Sequence, residues 1–181
     1  MKDIELFKPV LDADEEILKI YKPNKFRTFF GTILVCILVT LLFSLAVIGA
    51  FLDPETTIAT GIGFIVFIVV FDALAILLIA LWYNKTIFAV TNKRILIRTG
   101  YIGVDYKGLD YDTVGALTVN VNWVDKILKK NTGTLSFGSM ASPMINTANY
   151  KFSFVYINNP YEVYREVKAI IDENKLKKDN K

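Results

Sequence analysis

The 181-residue chain contains no histidine and a single cysteine, Cys36. Without histidine it lacks the commonest metal ligand and the side chain that ordinarily titrates near neutral pH. A single thiol excludes an internal disulfide. Charge is missing as well, but only locally. From Thr28 to Leu52 no residue is charged, and from Ile58 to Tyr83 only Asp72 is. Each run exceeds the roughly 20 residues that cross a hydrocarbon core of ~30 Å. Only "DPETT" separates them. We read residues 28–83 as a two-helix transmembrane hairpin with spans at 28–52 and 58–83. The competing reading is a buried helix pair in a soluble protein, although such helices rarely stay uncharged over this length. A cleaved leader does not fit: the stretch before Thr28 carries charges of both signs, and the apolar run outlasts the about 7–15 residues of a signal h-region.

Basic residues are absent from the connecting loop, whose charges are Asp53 and Glu55. They gather on the other side: Lys19, Lys22, Lys25 and Arg27 before the first span, and Lys85, Lys93, Arg94 and Arg98 after the second. The positive-inside rule then places both termini in the cytoplasm. A net charge of +3 is too small to suggest nucleic acid. It suits a domain beside an anionic inner leaflet, where each nearby basic side chain contributes about 1 kcal/mol.

Past the hairpin the apolar period shortens to two. "ALTVNVNW" places Leu117, Val119, Val121 and Trp123 on one face, and "NYKFSFVYI" repeats the alternation with Tyr150, Phe152, Phe154 and Tyr156. Both patterns mark half-buried strands. "TLSFG" and the two halves of "KTIFAVTNKRILIRTG" add shorter strands, with turn signals at "TNK", Gly103, Gly108 and "NTGT". The strands give way at "INNPYEV". There Asn159 can cap, Pro160 suits the first helical position, and Glu162 sits where a capping-box acid reaches back. Val163, Val167, Ile170 and Ile171 then form a helical stripe. The pattern predicts six or seven antiparallel strands and one amphipathic helix laid across the open end of a small barrel.

Three stretches, "TNKRILIRTGYIG", "VDYKGLDYDTVGALTVNVNWVDKILKKNTGTLSF" and "FVYINNPYEVYREVKAII", resemble the bacterial pleckstrin-homology-like domain family over about residues 85–172. Relatives often sit beside paired transmembrane helices, and the family was long catalogued only as a domain of unknown function. The resemblance implies a split β-barrel of two near-orthogonal sheets capped by the C-terminal helix, and it implies no shared catalytic residues. The expected molecule is therefore an α+β membrane protein of the bacterial inner (plasma) membrane. It comprises a juxtamembrane segment (1–27), the hairpin (28–83), a cytoplasmic PH-like domain (84–173) and a basic tail (174–181). Its expected role is binding or scaffolding, with an accessory subunit of a membrane transport or export complex as the alternative.

Enzymatic roles find little support. The serines show no partner base, Cys36 lies in the first span, and the glycines at 31, 49, 61 and 63 fall in the spans rather than in a phosphate loop. No cofactor, metal site or catalytic residue is expected.

Two places hold candidate contact residues. Asp72 lies near the middle of its span, where a carboxylate costs several kcal/mol unless it is protonated, paired or hydrated. Antiparallel pairing across the loop brings Thr40 near its level. Small-residue pairs, Ala46 with Ala50 and Ala59 with Gly63, would allow the two helices to approach closely near the loop. Asp72 is nine residues beyond Gly63, about half a turn round the helix. That phase instead points the acid out of the hairpin, toward a second copy or another membrane protein. The second place is "WVDKILKK", which sets Trp123, Ile127 and Leu128 beside Lys126, Lys129 and Lys130. The combination suits the bilayer surface and its anionic headgroups, or a protein partner. The alternative is a connecting turn whose apolar side packs on the barrel.

Overall fold

The computed structural model describes residues 2–52, 58–127, 130–139 and 152–179. The loop at 53–57, Leu128 and Lys129 of the basic segment, and Tyr150 of the last alternating stretch lie outside the described residues, as does the side chain of Ala50. The chain opens with a single helical turn, α1 (Lys2–Glu5), and a 3-10 turn at Lys8–Val10. Then come β1 (Ile17–Tyr21), α2 (Lys25–Leu52), α3 (Ile58–Lys85), β2 (Ile87–Thr91), β3 (Arg94–Thr99) and β4 (Asp105–Asp110). After these follow β5 (Val114–Asn120), α4 (Trp123–Ile127), β6 (Thr132–Ser139), β7 (Ser153–Asn158) and α5 (Pro160–Asp179).

The strands make two antiparallel sheets, ordered β1-β2-β3-β4 and β5-β6-β7, which do not close into one barrel. The main core lies between them. Phe88 stacks on Phe154 with ring centroids 4.8 Å apart, and Phe137 meets Phe154 edge-on at 4.9 Å. Val163, Val167 and Ile171 of α5 complete this core, so the helical stripe expected from the sequence is buried as a unit.

β1 has no clean alternation in the sequence: it is the edge strand of its sheet, with Leu18 and Lys19 exposed and its register shifting between Ile17 and Lys19. It pairs antiparallel with β2, Tyr21 opposite Phe88 and Ile20 opposite Ala89, and the far face of this sheet is covered by the N-terminal segment. Phe7, fully buried, packs with Ile87, Ala89 and Leu96, and Leu6, Val10, Leu11, Ile17 and Ile20 surround them. β2 is consequently buried at all five positions. A strand enclosed on both faces needs apolar residues throughout and shows no two-residue period. Glu15 fastens the covering segment. Its carboxylate accepts from Arg94 Nη2 (2.8 Å), Arg94 Nε (3.0 Å) and Thr91 Oγ1 (2.7 Å). Burial works to raise the Glu15 carboxyl pKa, but the hydrogen bonds from Arg94 and Thr91 hold it below the usual value.

The two apolar helices are thus inserted between adjacent strands of one sheet. Three residues join β1 to α2, and Thr86 alone joins α3 to β2. Each helix has 28 residues and is about 42 Å long at 1.5 Å per residue. They pack antiparallel, but not through the small pairs expected from the sequence. Ala46, Ala59 and Gly63 are exposed, and a side chain added at Gly63 would meet nothing within 4 Å. The contact runs through rings instead. Phe43 packs against Phe67 at 5.6 Å and Phe64 at 6.4 Å, and the Phe51 ring lies over Gly61. Gly61, not Gly63, marks the face that α3 turns to its partner.

Candidate functional site

The candidate residues fall in two places, the root of the hairpin and its middle. At the root, Asn24 ends the short link from β1 and caps α2. Its Oδ1 accepts from Arg27 N at 2.9 Å and its carbonyl from Thr28 N at 3.0 Å. The same residue reaches into the second sheet, donating from its backbone N to Tyr156 O (2.7 Å) and from Nδ2 to Asn158 Oδ1 (2.7 Å). Tyr156 holds a left-handed backbone conformation, φ +54°. A bulky residue rarely adopts it, at a cost of order 1–3 kcal/mol unless its surroundings enforce it. Here the irregularity in β7 presents both the Tyr156 carbonyl and the Tyr156 ring to the start of α2.

One turn further along, Arg27 lays its guanidinium over that ring at 4.6 Å and donates from Nε to Asp125 Oδ1 at 2.6 Å. The same Oδ1 also accepts from Thr132 Oγ1 at 2.5 Å. Arg27 is 5 % exposed and Asp125 2 %. An ion pair this deep survives because each charge keeps a close counter-charge and further polar contacts. Its effect is geometric: α4 is pinned, by the one acid in "WVDKI", to the first turn of α2.

That pin decides which side of α4 faces out. Asp125 points inward, while Trp123 and Ile127, on the opposite face of the single turn, are 65 % and 69 % exposed. The sequence reading carried the preceding strand on to Trp123. The structure ends β5 at Asn120 and turns the chain into a helix, taking Trp123 off the sheet face. Among the described residues of this segment, Trp123 and Ile127 do not pack on the sheets. Lys126 is exposed, and Lys130 sets its ammonium 5.1 Å from the Phe26 ring, at the start of α2. Trp123, Lys126, Ile127 and Lys130 therefore form one amphipathic edge beside the end of the long apolar helix.

In the middle of the hairpin, Asp72 Oδ2 accepts from Thr40 Oγ1 at 2.9 Å. This corrects the half-turn argument that pointed the acid out of the hairpin. Measured from Gly61, the true contact position, Asp72 is eleven residues on and returns to within about 20° of the same face. The acid is still only half satisfied, because Oδ1 is buried and has no partner among the described residues. It opens on a shallow cleft of about 440 Å³ lined also by Cys36, Thr40 and Ser44 of α2. Asp72 is separated from the root by thirteen residues of helix, about 20 Å, so the two candidate places do not form one site. Among the described residues no cluster of acids and thiol could hold a metal ion.

Sequence reasoning missed the Arg27–Asp125 pair, whose partners lie 98 positions apart. The available signal was an acid and a base each embedded in an apolar neighbourhood, and nothing local joins them.

Neither the curated proteins nor the solved structures contain a match to this chain. A family model does match, over residues 28–170. The match begins at the first residue of the uncharged run, so it takes in both apolar helices as well as β2 to β7 and most of α5. With most of the sequence covered, and with two antiparallel sheets closed over by a C-terminal helix, the chain belongs to the bacterial PH domain family.

Proposed function

We propose that this protein is a membrane-anchored binding or scaffolding module without catalytic activity. In this reading α2 and α3 cross the inner (plasma) membrane, and a PH-like split barrel capped by α5 sits on its cytoplasmic face with both termini. The observation that carries it is the pairing of β1 with β2 across the inserted hairpin. Two hydrogen-bonded strands lie on one side of any membrane, so a hairpin rooted between them enters and leaves through the same face. The basic residues flanking both roots then select the cytoplasmic side. The outward surfaces of both helices support the spanning itself, since residues such as Leu41, Leu45, Val69 and Val70 are more than half exposed and have no cover from the chain. The edge formed by Trp123, Lys126, Ile127 and Lys130 would meet the headgroup layer, with anionic lipids as its preferred contact.

Reporter fusions to the full chain test the arrangement. A reporter at residue 55 should read as external, and reporters at residues 2 and 181 as cytoplasmic; an external C-terminus overturns it. For the lipid contact, replacing Lys126, Lys129 and Lys130 together with glutamine should reduce the anionic phospholipid that co-purifies in mild detergent. Unchanged lipid retention would move the contact to a protein ligand.

The second reading, an accessory subunit of a transport or export complex, is favoured by the unpartnered Asp72 Oδ1. In that reading the donor comes from outside the hairpin, from a second copy or another membrane protein. A cysteine placed at position 72 in a Cys36→Ala background should crosslink between chains if that reading holds. Crosslinks confined to a cysteine at position 40 of the same chain would reject it.

A further inference from the structure

The turn between β3 and β4, "GYIGV" at residues 100–104, plays no part in the sites above, yet it carries the most exposed large hydrophobic side chain described. Ile102 is 89 % exposed, with Tyr101 at 51 % and Val104 at 38 %. Apolar side chains at the tip of a solvated turn would ordinarily be replaceable by polar ones, and their presence asks for a partner.

The turn is held in one place. Lys85, the last residue of α3, donates from Nζ to the carbonyls of Ile102 and, at 3.3 Å, Gly103. Arg98 Nη1 donates to the Lys85 carbonyl at 2.9 Å, and the hydroxyls of Thr86 and Thr99 meet at 3.1 Å. The tip is thereby tied to the last residue of the apolar helix through Lys85, and the end of β3 that leads into the turn is tied to the same place through Arg98 and Thr99. It is also built to one shape. Gly100 has φ +149°, and a side chain there would collide with the carbonyl of Gly103. A fixed turn presenting two adjacent apolar residues is a different object from a mobile loop that happens to contain them.

We propose that this turn is a second lipid contact, inserting Tyr101 and Ile102 into the headgroup–acyl boundary beside α3. The inference rests on the reading that α2 and α3 span the bilayer. Lys85 then lies at the membrane exit, and whatever its side chain holds lies there too. The chemistry matches that level. Tyrosine has an apolar body and a polar tip suited to the interface. The cations behind the turn, Lys85 and Arg98, face an anionic headgroup layer. Asp105, at the start of β4, opposes them, but it lies beyond Val104 and pairs across the sheet with Thr99. Trp123 and Ile127 do for the start of α2 what Tyr101 and Ile102 do for the end of α3. Each helix end carries its own apolar tip, and together they hold the sheets against the membrane at two points besides the hairpin.

The test uses the full chain, Cys36→Ala, in vesicles of phosphatidylethanolamine and phosphatidylglycerol. Single cysteines are labelled with an environment-sensitive fluorophore and quenched by brominated acyl chains. Tyr101→Cys, which keeps Ile102, and Ile102→Cys report on the turn. Val69→Cys reports on the hairpin. Lys93→Cys, just before β3 and about 20 Å from Thr99 at the strand's other end at 3.3 Å per residue, reports on water. Labels at 101 and 102 should be blue-shifted and quenched severalfold more than the label at 93, approaching the label at 69. If 101 and 102 match 93 while 69 is quenched, the turn is in water and the proposal fails with the hairpin reading intact. If the turn labels are blue-shifted but unquenched, a second copy covers the turn and the lipid assignment fails. If 69 is itself unquenched, the hairpin does not span the bilayer and both readings fall.

Discussion

The root and the middle of the hairpin each take a carboxylate out of water, and they treat it differently. At the root, Asp125 has a charged partner and a hydroxyl on the same oxygen, both at 2.6 Å or less. In the middle, Asp72 has a single hydroxyl at 2.9 Å on one oxygen, and among the described residues no hydrogen-bond partner on the other. The two acids therefore carry different information. A fully partnered acid is part of how the protein holds together. A half-partnered acid in an apolar helix leaves one acceptor open. Glu15 belongs with Asp125, since four donors' worth of contact from Arg94, Thr91 and the Asp12 amide enclose it.

The largest effect should come from breaking the root. Asp125→Ala leaves Arg27 buried without its counter-charge, and such losses cost about 3–5 kcal/mol. Chemical denaturation of the full chain in detergent should show it. Replacing Arg27 and Asp125 together by apolar residues should recover much of that loss, and a double change no better than the single one would mean that the pair is not the cause. Next in size is Glu15. Its folded pKa lies below the ordinary 4.5, so its ionised form stabilises the fold above that value. The stability is lost as pH falls from about 4.5 through the folded pKa. Glu15→Gln should cost about 2 kcal/mol at neutral pH, as for a hydrogen bond to a charged group, and should flatten the acid limb of a Tm-versus-pH curve. A curve of unchanged shape would remove Glu15 from the acid transition. The smallest effect is expected in the middle. Thr40→Val removes the hydroxyl from which Asp72 Oδ2 accepts, and interhelical hydrogen bonds in membranes average about 0.6 kcal/mol. A loss as large as that of Asp125→Ala would erase the contrast between the two regions.

What the sequence made legible follows from how local each signal is. The uncharged runs, the alternating stretches and the start of α5 at "NNPYEV" are short-range patterns; the structure has the long helices and the helix start, and it has the alternating strands over shorter spans, β5 ending at Asn120 and β7 beginning at Ser153. In α5, Pro160 opens the helix and Glu162 accepts from Asn159 Nδ2 at 3.1 Å, the reach-back expected of that position. β1 was not legible because it is a short edge strand whose register shifts between Ile17 and Lys19, so its apolar residues keep no two-residue period. Arg27 and Asp125 were not legible because 98 positions separate them. The helix-packing face was misjudged by two residues. Gly61 and Gly63 are equally small, and only the phase of contact with Phe51 separates them. That error of two residues turned Asp72 through about 200° and reversed its expected partner.

The insertion of the hairpin between β1 and β2 also sets an order in time. Tyr21 and Ile87, the facing ends of the two strands, are separated by 65 intervening residues. At the ~5–20 residues per second of synthesis, β1 leaves the ribosome roughly 3–13 s before β2 can pair with it. For that interval Phe7, Ile17 and Ile20 have no sheet to cover. The first sheet can close only after both apolar helices have been made, so its completion works as a late checkpoint on whether the hairpin has been placed.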